Sequence, residues 1–541
     1  MRSNKWQLLT VFLVLTLVVP LAAACGPTPE PEVIKETVVV TEEEVVEVVV
    51  TATPPPEPPK PEGPSGSVRF LIAENFWADW DPYQHTAQSQ GRIEAQIFDY
   101  LVDFPDTDAP PVPMLATEWT QIDDRTWEFK LREGVTFHDG STFDAADVKA
   151  SIELASGATD TPTLQAGDWL PTTVEIVDDY TVRLSTEEPF AGLFTQLRNG
   201  IIVSADDLAY NAEAIKLQPN GTGPFRLVEN EVTRKVMEAN TDYWQGPLQI
   251  KTLIWEFIQD PDTRLAALMA GQADVIDRVP PQHLQVIAGS ENLTLSSATG
   301  IESVNLWVKP GRFPLWDETP AFREAVMRSI DREGLVKGLV QGGSAVATSF
   351  LPTKTLYHQD GDPAYTKDIE AAQALLAEAG VPDGGPEFEL WVASGFLPRA
   401  EEVGAAIAAS MQEAGLKPKI VTTDLGAMID DIFSEDGTGA MYHLSWSSDG
   451  DPYNHAFVYS DNFAWYFGDE RLQELIDLSA TTTDPAEREQ VVADLQAHMW
   501  KQLWHVPLYN SDFSIAHSTN LVGLDVRPNF QTVFYPASII E

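Results

Sequence analysis

The chain of 541 residues holds one cysteine, Cys25. No intrachain disulfide and no thiolate metal cluster can form, and the body beyond that residue has no cysteine nucleophile. Positive charge is also scarce: Lys and Arg number 34 against 82 Asp and Glu, a formal net charge of −48. Binding nucleic acid or lying on an anionic bilayer through a basic patch needs basic surface, and the composition argues against both. Such acidity serves solubility first, and beyond that attraction of cationic solutes such as free amino termini. Long apolar runs are missing. The clearest, residues 8–21, is too short for a comfortable membrane span. Enzyme signatures are missing too, with no G-x-S-x-G, no H-E-x-x-H and no P-loop. The nine histidines form no cluster that would mark a metal site. His138-Asp139 has the look of a hydrolase pair, but it stands in an Asp-Gly turn that accounts for it.

What is present begins with a targeting segment. Arg2 and Lys5 precede the apolar run, and Leu21-Ala-Ala-Ala-Cys25 ends it with small residues before a cysteine. This resembles a bacterial lipobox, and the resemblance implies lipidation of Cys25 as the mature N-terminus, with residues 1–24 removed. Residues 25–66 then read as a linker. Proline crowds both ends, and such sequence stays extended at about 3.1 Å per residue. Between the proline blocks, residues 33–53 are rich in Val, Thr and Glu. They suit a disordered spacer, or else a short strand or self-associating stalk.

The folded body, residues 67–541, is too long for one simple core, so two or more lobes are expected. Its most informative stretch is Trp127-Glu-Phe-Lys-Leu-Arg-Glu-Gly-Val-Thr-Phe-His-Asp-Gly140. Trp127, Phe129 and Leu131 alternate with charged residues, the period of a half-buried strand. Asp144 stands at an N-cap position with Asp147 three residues on, an acidic variant of the capping box. Upstream, Ile93, Ile97 and Leu101 are spaced for a helix over residues 93–101. Downstream, strands alternate with helices from residue 322 to 421, which predicts an α/β lobe with a mainly parallel sheet.

The run from Phe129 to Val148 resembles the F-x-L-R-x-G-V-x-F-H-D-G-x-x-F-x-A-x-D-V signature of the extracellular solute-binding proteins of the peptide/nickel class (family 5), the receptors of ABC importers. Gly221-Thr-Gly-Pro-Phe225, Asn240-Thr-Asp-Tyr-Trp244, Phe322-Arg-Glu-Ala-Val-Met-Arg-Ser-Ile-Asp-Arg332 and Trp446-Ser-Ser-Asp-Gly-Asp-Pro452 fit further motifs of the class. The resemblance spans about residues 67–525. It implies a two-lobed α/β fold of the periplasmic-binding-protein type (class II), with an extra subdomain inserted in the first lobe and a hinge between lobes. The implied boundaries are 67–88, 197–277 and 505–541 for the first lobe, 89–196 for the insertion and 278–504 for the second lobe. The Gly221–Pro224 piece lacks the lysine of a phosphate loop and suits a tight turn near the hinge.

The resemblance also implies a mechanism: hinge closure over a solute, then delivery to a membrane permease driven by an ATPase. In peptide-binding members the first Asp of the W-x-x-D motif pairs with the ligand's ammonium group. That position is Asp449, with Trp446 as a neighbouring wall and Asp451 and Tyr453 close by. Spacing here is one residue tighter than in some members, so whether Asp449 or Asp451 faces the cleft stays open. Trp77 and Trp80 are either core or a ring wall of the cleft. Peptide is the leading solute; oligosaccharide stacked on Trp77, Trp80 and Trp446 is the alternative. No cofactor or metal is expected, since the Asp cluster lacks the register of a calcium loop. A secreted glycoside hydrolase, needing only two carboxylates, and an adhesion module on an acidic stalk are readings of other classes.

Overall fold

The computed structural model describes residues 64–540 apart from 74–79, 81–82, 84–87, 160–162, 164–170, 211–215, 341–343, 448–449 and 462. The targeting segment, Cys25, the linker as far as Gly63, Trp77 and Asp449 therefore lie outside the described residues, and the first strand begins at Ser65, inside the expected linker. Strands of three or more residues are, in chain order, β1 (Ser65–Ile72), β2 (Ala116–Gln121), β3 (Thr126–Leu131), β4 (Thr172–Asp178), β5 (Thr181–Thr186), β6 (Phe225–Glu231), β7 (Arg234–Ala239), β8 (Ile250–Phe257), β9 (Val275–Asp277), β10 (Leu293–Val308), β11 (Ser344–Val346), β12 (Phe388–Ala393), β13 (Pro418–Thr423), β14 (Met441–Ser447) and β15 (Val506–Ser518).

Eleven of them make one mixed sheet in the order β13–β12–β14–β10–β15–β9–β1–β8–β7–β6, with β11 paired to β15 off this path. A separate four-stranded sheet, β2–β3–β5–β4, is antiparallel throughout. The half-buried strand expected at residues 127–131 is β3, with Phe129 and Leu131 buried. The capping box also forms: the Asp144 side chain accepts from Ala146 N, and Asp147 accepts from Asp144 N at 2.8 Å.

The long strands β10 and β15 join two cores. One core gathers Phe70, Phe129, Val148, Trp255 and Phe513, with a small satellite of Leu71, Ile276, Ile287 and Ala516. The other gathers Val304, Leu306, Leu390, Met411 and Leu508, and beside it Trp307, Phe350, Tyr442 and Tyr459. Along β15, Val506 and Leu508 belong to the second core and Phe513 and Ile515 to the first. Along β10, Leu293 packs against the first core's satellite, whereas Val304 and Leu306 lie in the second core. Between these positions the β10–β15 register slips, from Ala298 to Glu302. Gly300 sits in the slip, where a Cβ would meet the Ser511 carbonyl oxygen at 1.9 Å.

The second lobe's sheet is less parallel than its sequence suggests. β12 pairs parallel with β13 and β14, but β10, β11, β14 and β15 pair antiparallel. Strands that pass from one core into the other meet neighbours running back the opposite way. The helix expected over residues 93–101 is a second departure. The helix runs Gln88–Glu94 and stops. Its would-be continuation hands its carbonyls to another segment: Ile97 O accepts Gly223 N, and Gln96 O accepts Phe225 N, both at 2.8 Å. Ile97, Phe98 and Leu101 are buried all the same.

Candidate functional site

Strand direction places the site. β1 and β9 run parallel, and β9 pairs antiparallel with β15, which pairs antiparallel with β10. β1 and β9 thus run with β10, out of the first core and toward the second. β14 is antiparallel to β10 and parallel to β12, so β12, β13 and β14 run the opposite way. The carboxyl ends of the parallel strands of each lobe therefore point at one another across the slip in β10 and β15. In open α/β sheets, solutes bind outside such carboxyl ends.

On the second-lobe side, Trp446 stands at the carboxyl end of β14. The indole is half-buried, and its Nε1 has no hydrogen-bond partner among the described residues. Trp446, Tyr453 and Phe463 surround Phe457 with ring centroids 5.4 to 6.3 Å away, a partly exposed aromatic platform. On the first-lobe side, Phe190 meets Tyr453 edge to face at 5.8 Å. Ala191 N donates to Ala480 O at 2.7 Å, again from one lobe to the other. The two lobes thus touch beyond their hinge strands.

Asp451 is buried, and its carboxylate is already engaged. Arg488 Nη2 donates to both of its oxygens, at 2.8 and 2.9 Å, and Asp451 also accepts from Tyr453 N at 2.8 Å to cap the helix Pro452–Ala456. Thr195 Oγ1 of the first lobe stands 3.5 Å from Asp451 Oδ2. A carboxylate so occupied fixes the turn instead of waiting for a ligand cation. Trp80 belongs to the first core at 3 % exposure, which leaves no open ring face for a sugar. Nothing local to Arg488 names Asp451 as its partner, because it lies on a helix remote from the motif it anchors.

The other signature motifs meet away from the cleft. His138 N donates to Gly221 O and His138 Nε2 to Gly223 O, both at 2.9 Å. Burial holds the imidazole neutral by lowering its pKa to about 4. Asn240 Nδ2 also donates to Gly223 O, at 3.1 Å. Buried Asp99 gathers Trp244 Nε1 at 2.8 Å, Thr222 Oγ1 at 2.9 Å and Tyr243 OH at 3.2 Å. Burial raises its carboxyl to about 6 against the pull of these donors. Gly221–Pro224 is therefore a docking strip inside the first lobe, not a turn at the hinge. Its glycines are needed because a Cβ at Gly221 or Gly223 would lie 2.0 or 2.6 Å from Ile97 O.

The profile of "Bacterial extracellular solute-binding proteins, family 5 Middle" matches residues 110–466. The chain belongs to this family. Family 5 proteins are extracytoplasmic substrate-binding receptors and not enzymes, so the hydrolase reading falls. The glutathione-binding protein GsiB of Salmonella paratyphi A is 27% identical over 485 residues, spanning 85% of this chain and 92% of that one. The structure of HbpA2 from Haemophilus parasuis aligns at TM-score 0.74 and 26% identity, over 88% of this chain and 100% of that one. The oligopeptide-binding protein AppA of Bacillus subtilis, in complex with a nonapeptide, aligns at TM-score 0.76 and 20% identity, over 89% and 100%. Among the described residues of this family 5 protein, no helix is long and apolar enough to cross a membrane, and no group of three or more His, Cys, Asp or Glu suits a metal ion.

Proposed function

We propose that this receptor captures peptides with a free amino terminus between its lobes and delivers them to an ABC permease, driven by its ATPase, while a lipid on Cys25 tethers it to the membrane. The hinge is the register slip in β10 and β15, further along the chain than the 277/278 boundary that the motifs suggest. Lobe closure around it buries the solute. Asp449 is the partner of the ligand's ammonium group. One observation carries this choice: Asp451, the other carboxylate of the motif, is held by Arg488 at 2.8 and 2.9 Å. An ion pair formed in a closing cleft is charge-assisted and partly desolvated, which favours a primary ammonium. The relatives support the solute class. Glutathione is itself a tripeptide with a free ammonium group, and AppA is seen with a nonapeptide. Trp446 and its aromatic platform supply the wall for side chains, with Tyr453 at its edge. The oligosaccharide alternative loses support because Trp80 is buried in the core.

The test uses the chain without residues 1–66 in a thermal-shift screen of peptide pools beside oligosaccharide pools. A ligand at 100 times its Kd adds about 2.7 kcal/mol of stability. Peptides are expected to shift the midpoint and sugars not. Asp449→Asn should then weaken peptides with free amino termini far more than their acetylated counterparts. Equal loss for both removes Asp449 from the role. Cys25→Ala should release the full chain from membranes into the soluble fraction.

A further inference from the structure

Lys354 lies on the second-lobe loop that follows Phe350 and Leu351 of that lobe's core. Its ammonium stands 2.9 Å from Asp106 and 3.2 Å from Asp108, both on a loop of the first lobe. That loop is anchored in its own lobe, for Phe104 is in the first core and Asp103 is paired with Arg527 Nη2 at 3.0 Å. Between the two carboxylates, Thr107 Oγ1 donates to the Lys354 carbonyl at 2.9 Å. Leu356 N in turn donates to Gly450 O at 2.8 Å, which ties the Lys354 loop to the turn before Asp451. Gly450 has φ 86°, and a Cβ there would lie 2.6 Å from Thr107 O. Partial burial costs the Asp106 carboxyl and the Lys354 ammonium solvation, yet each is held in its charged form by the other. The three charges span the lobes and sit on neither hinge strand.

We propose that Lys354, gripped by Asp106 and Asp108, is a closure latch that sets how long any solute stays bound. This rests on the reading of the protein as a receptor that closes. A latch holds the closed form whatever the solute, so it acts on release and leaves recognition alone. A residue that touched the ligand would change some affinities and spare others.

The experiment compares the mature chain with Lys354→Gln, using glutathione, trialanine and a pooled nonapeptide library as probes. For every probe that binds, koff should rise by the same factor, about two- to fivefold for a partly exposed ion pair, with kon not lowered. Raising salt should speed release from the wild type and leave the variant flat. Asp106→Asn with Asp108→Asn should reproduce the effect, and adding Lys354→Gln to it should change nothing more. Probe-dependent factors, or an unchanged koff, would overturn the latch. Small-angle scattering without ligand separates it from the receptor reading. If no probe binds, that reading fails while the latch still predicts a larger radius of gyration for Lys354→Gln. Equal radii would overturn it.

Discussion

Asp99 shows how little a residue's type says about its task. It is one acid among 82 Asp and Glu, yet it is fully buried and organises Thr222, Tyr243 and Trp244. Its carboxyl is raised from 3.8 to about 6 by burial, so the folded protein binds this proton more tightly than the unfolded chain does. The group therefore costs stability above pH 6, and the cost is relieved as pH falls from about 6 toward the ordinary carboxylate value. Asp99→Asn should remove that slope. The thermal midpoint of wild type minus variant should rise as pH falls from 7 to about 4, and a flat difference would show Asp99 to be unperturbed. Asp451 makes the same point in reverse. Its motif marks it as a ligand residue, and Arg488 makes it a strut.

Periodicity marks β3 and the helix capped by Asp144, though it leaves the long strand β10 and the strand β14 unpredicted. The departure at residues 93–101 has a clear cause: apolar spacing reports burial, and it cannot report which partner takes the carbonyls. Gly223 N and Phe225 N occupy those of Ile97 and Gln96, so the chain stays buried without staying helical. The glycines of the docking strip follow from the same contact. Gly221→Ala would force a methyl to 2.0 Å from Ile97 O. Neither backbone can retreat without breaking its other bonds, and overpacking of this kind costs about 1 to 3 kcal/mol. Urea unfolding should show that loss in the midpoint. Peptide affinity of the folded fraction should be unchanged, because the strip lies off the cleft.

Across the molecule the two lobes hold opposite titrating groups. In the second lobe, burial lowers His443 to about 4 and His455 and His505 to about 3. His443 has neither ring nitrogen partnered among the described residues. Stability from these neutral imidazoles is complete above pH 6.5 and is lost as pH falls toward their folded values. In the first lobe, Asp99 and Asp147, both raised to about 6 by burial, gain stability over much of the same range, with His138 and His517 opposing them, as Asp317, raised by burial, opposes the histidines of the second lobe. Acid should therefore loosen the second lobe first. Hydrogen exchange during acidification should show β14 and the first half of β15 losing protection before β1 and β8. Simultaneous loss would mean that the lobes unfold as one unit.

The sequence by itself determined the class of fold, the receptor family and most strands and helices. The strands and helices follow from local patterns, namely alternation in β3, the Asp144 cap, and glycine stops such as Gly415, whose φ is 102°, and the family and its fold from the resemblance of the motifs. It also determined that no intrachain disulfide and no thiolate metal cluster can form, because Cys25 stands alone. Only the tertiary structure decided that Asp451 of the Trp446 motif is held by an arginine, where the lobes are joined and where they touch again. Each of these depends on pairs far apart in the chain: Asp451 with Arg488, Gly300 with Ser511, Lys354 with Asp106. A local pattern carries the preference of one segment for helix, strand or burial. It carries nothing about which distant charge or backbone group that segment will meet.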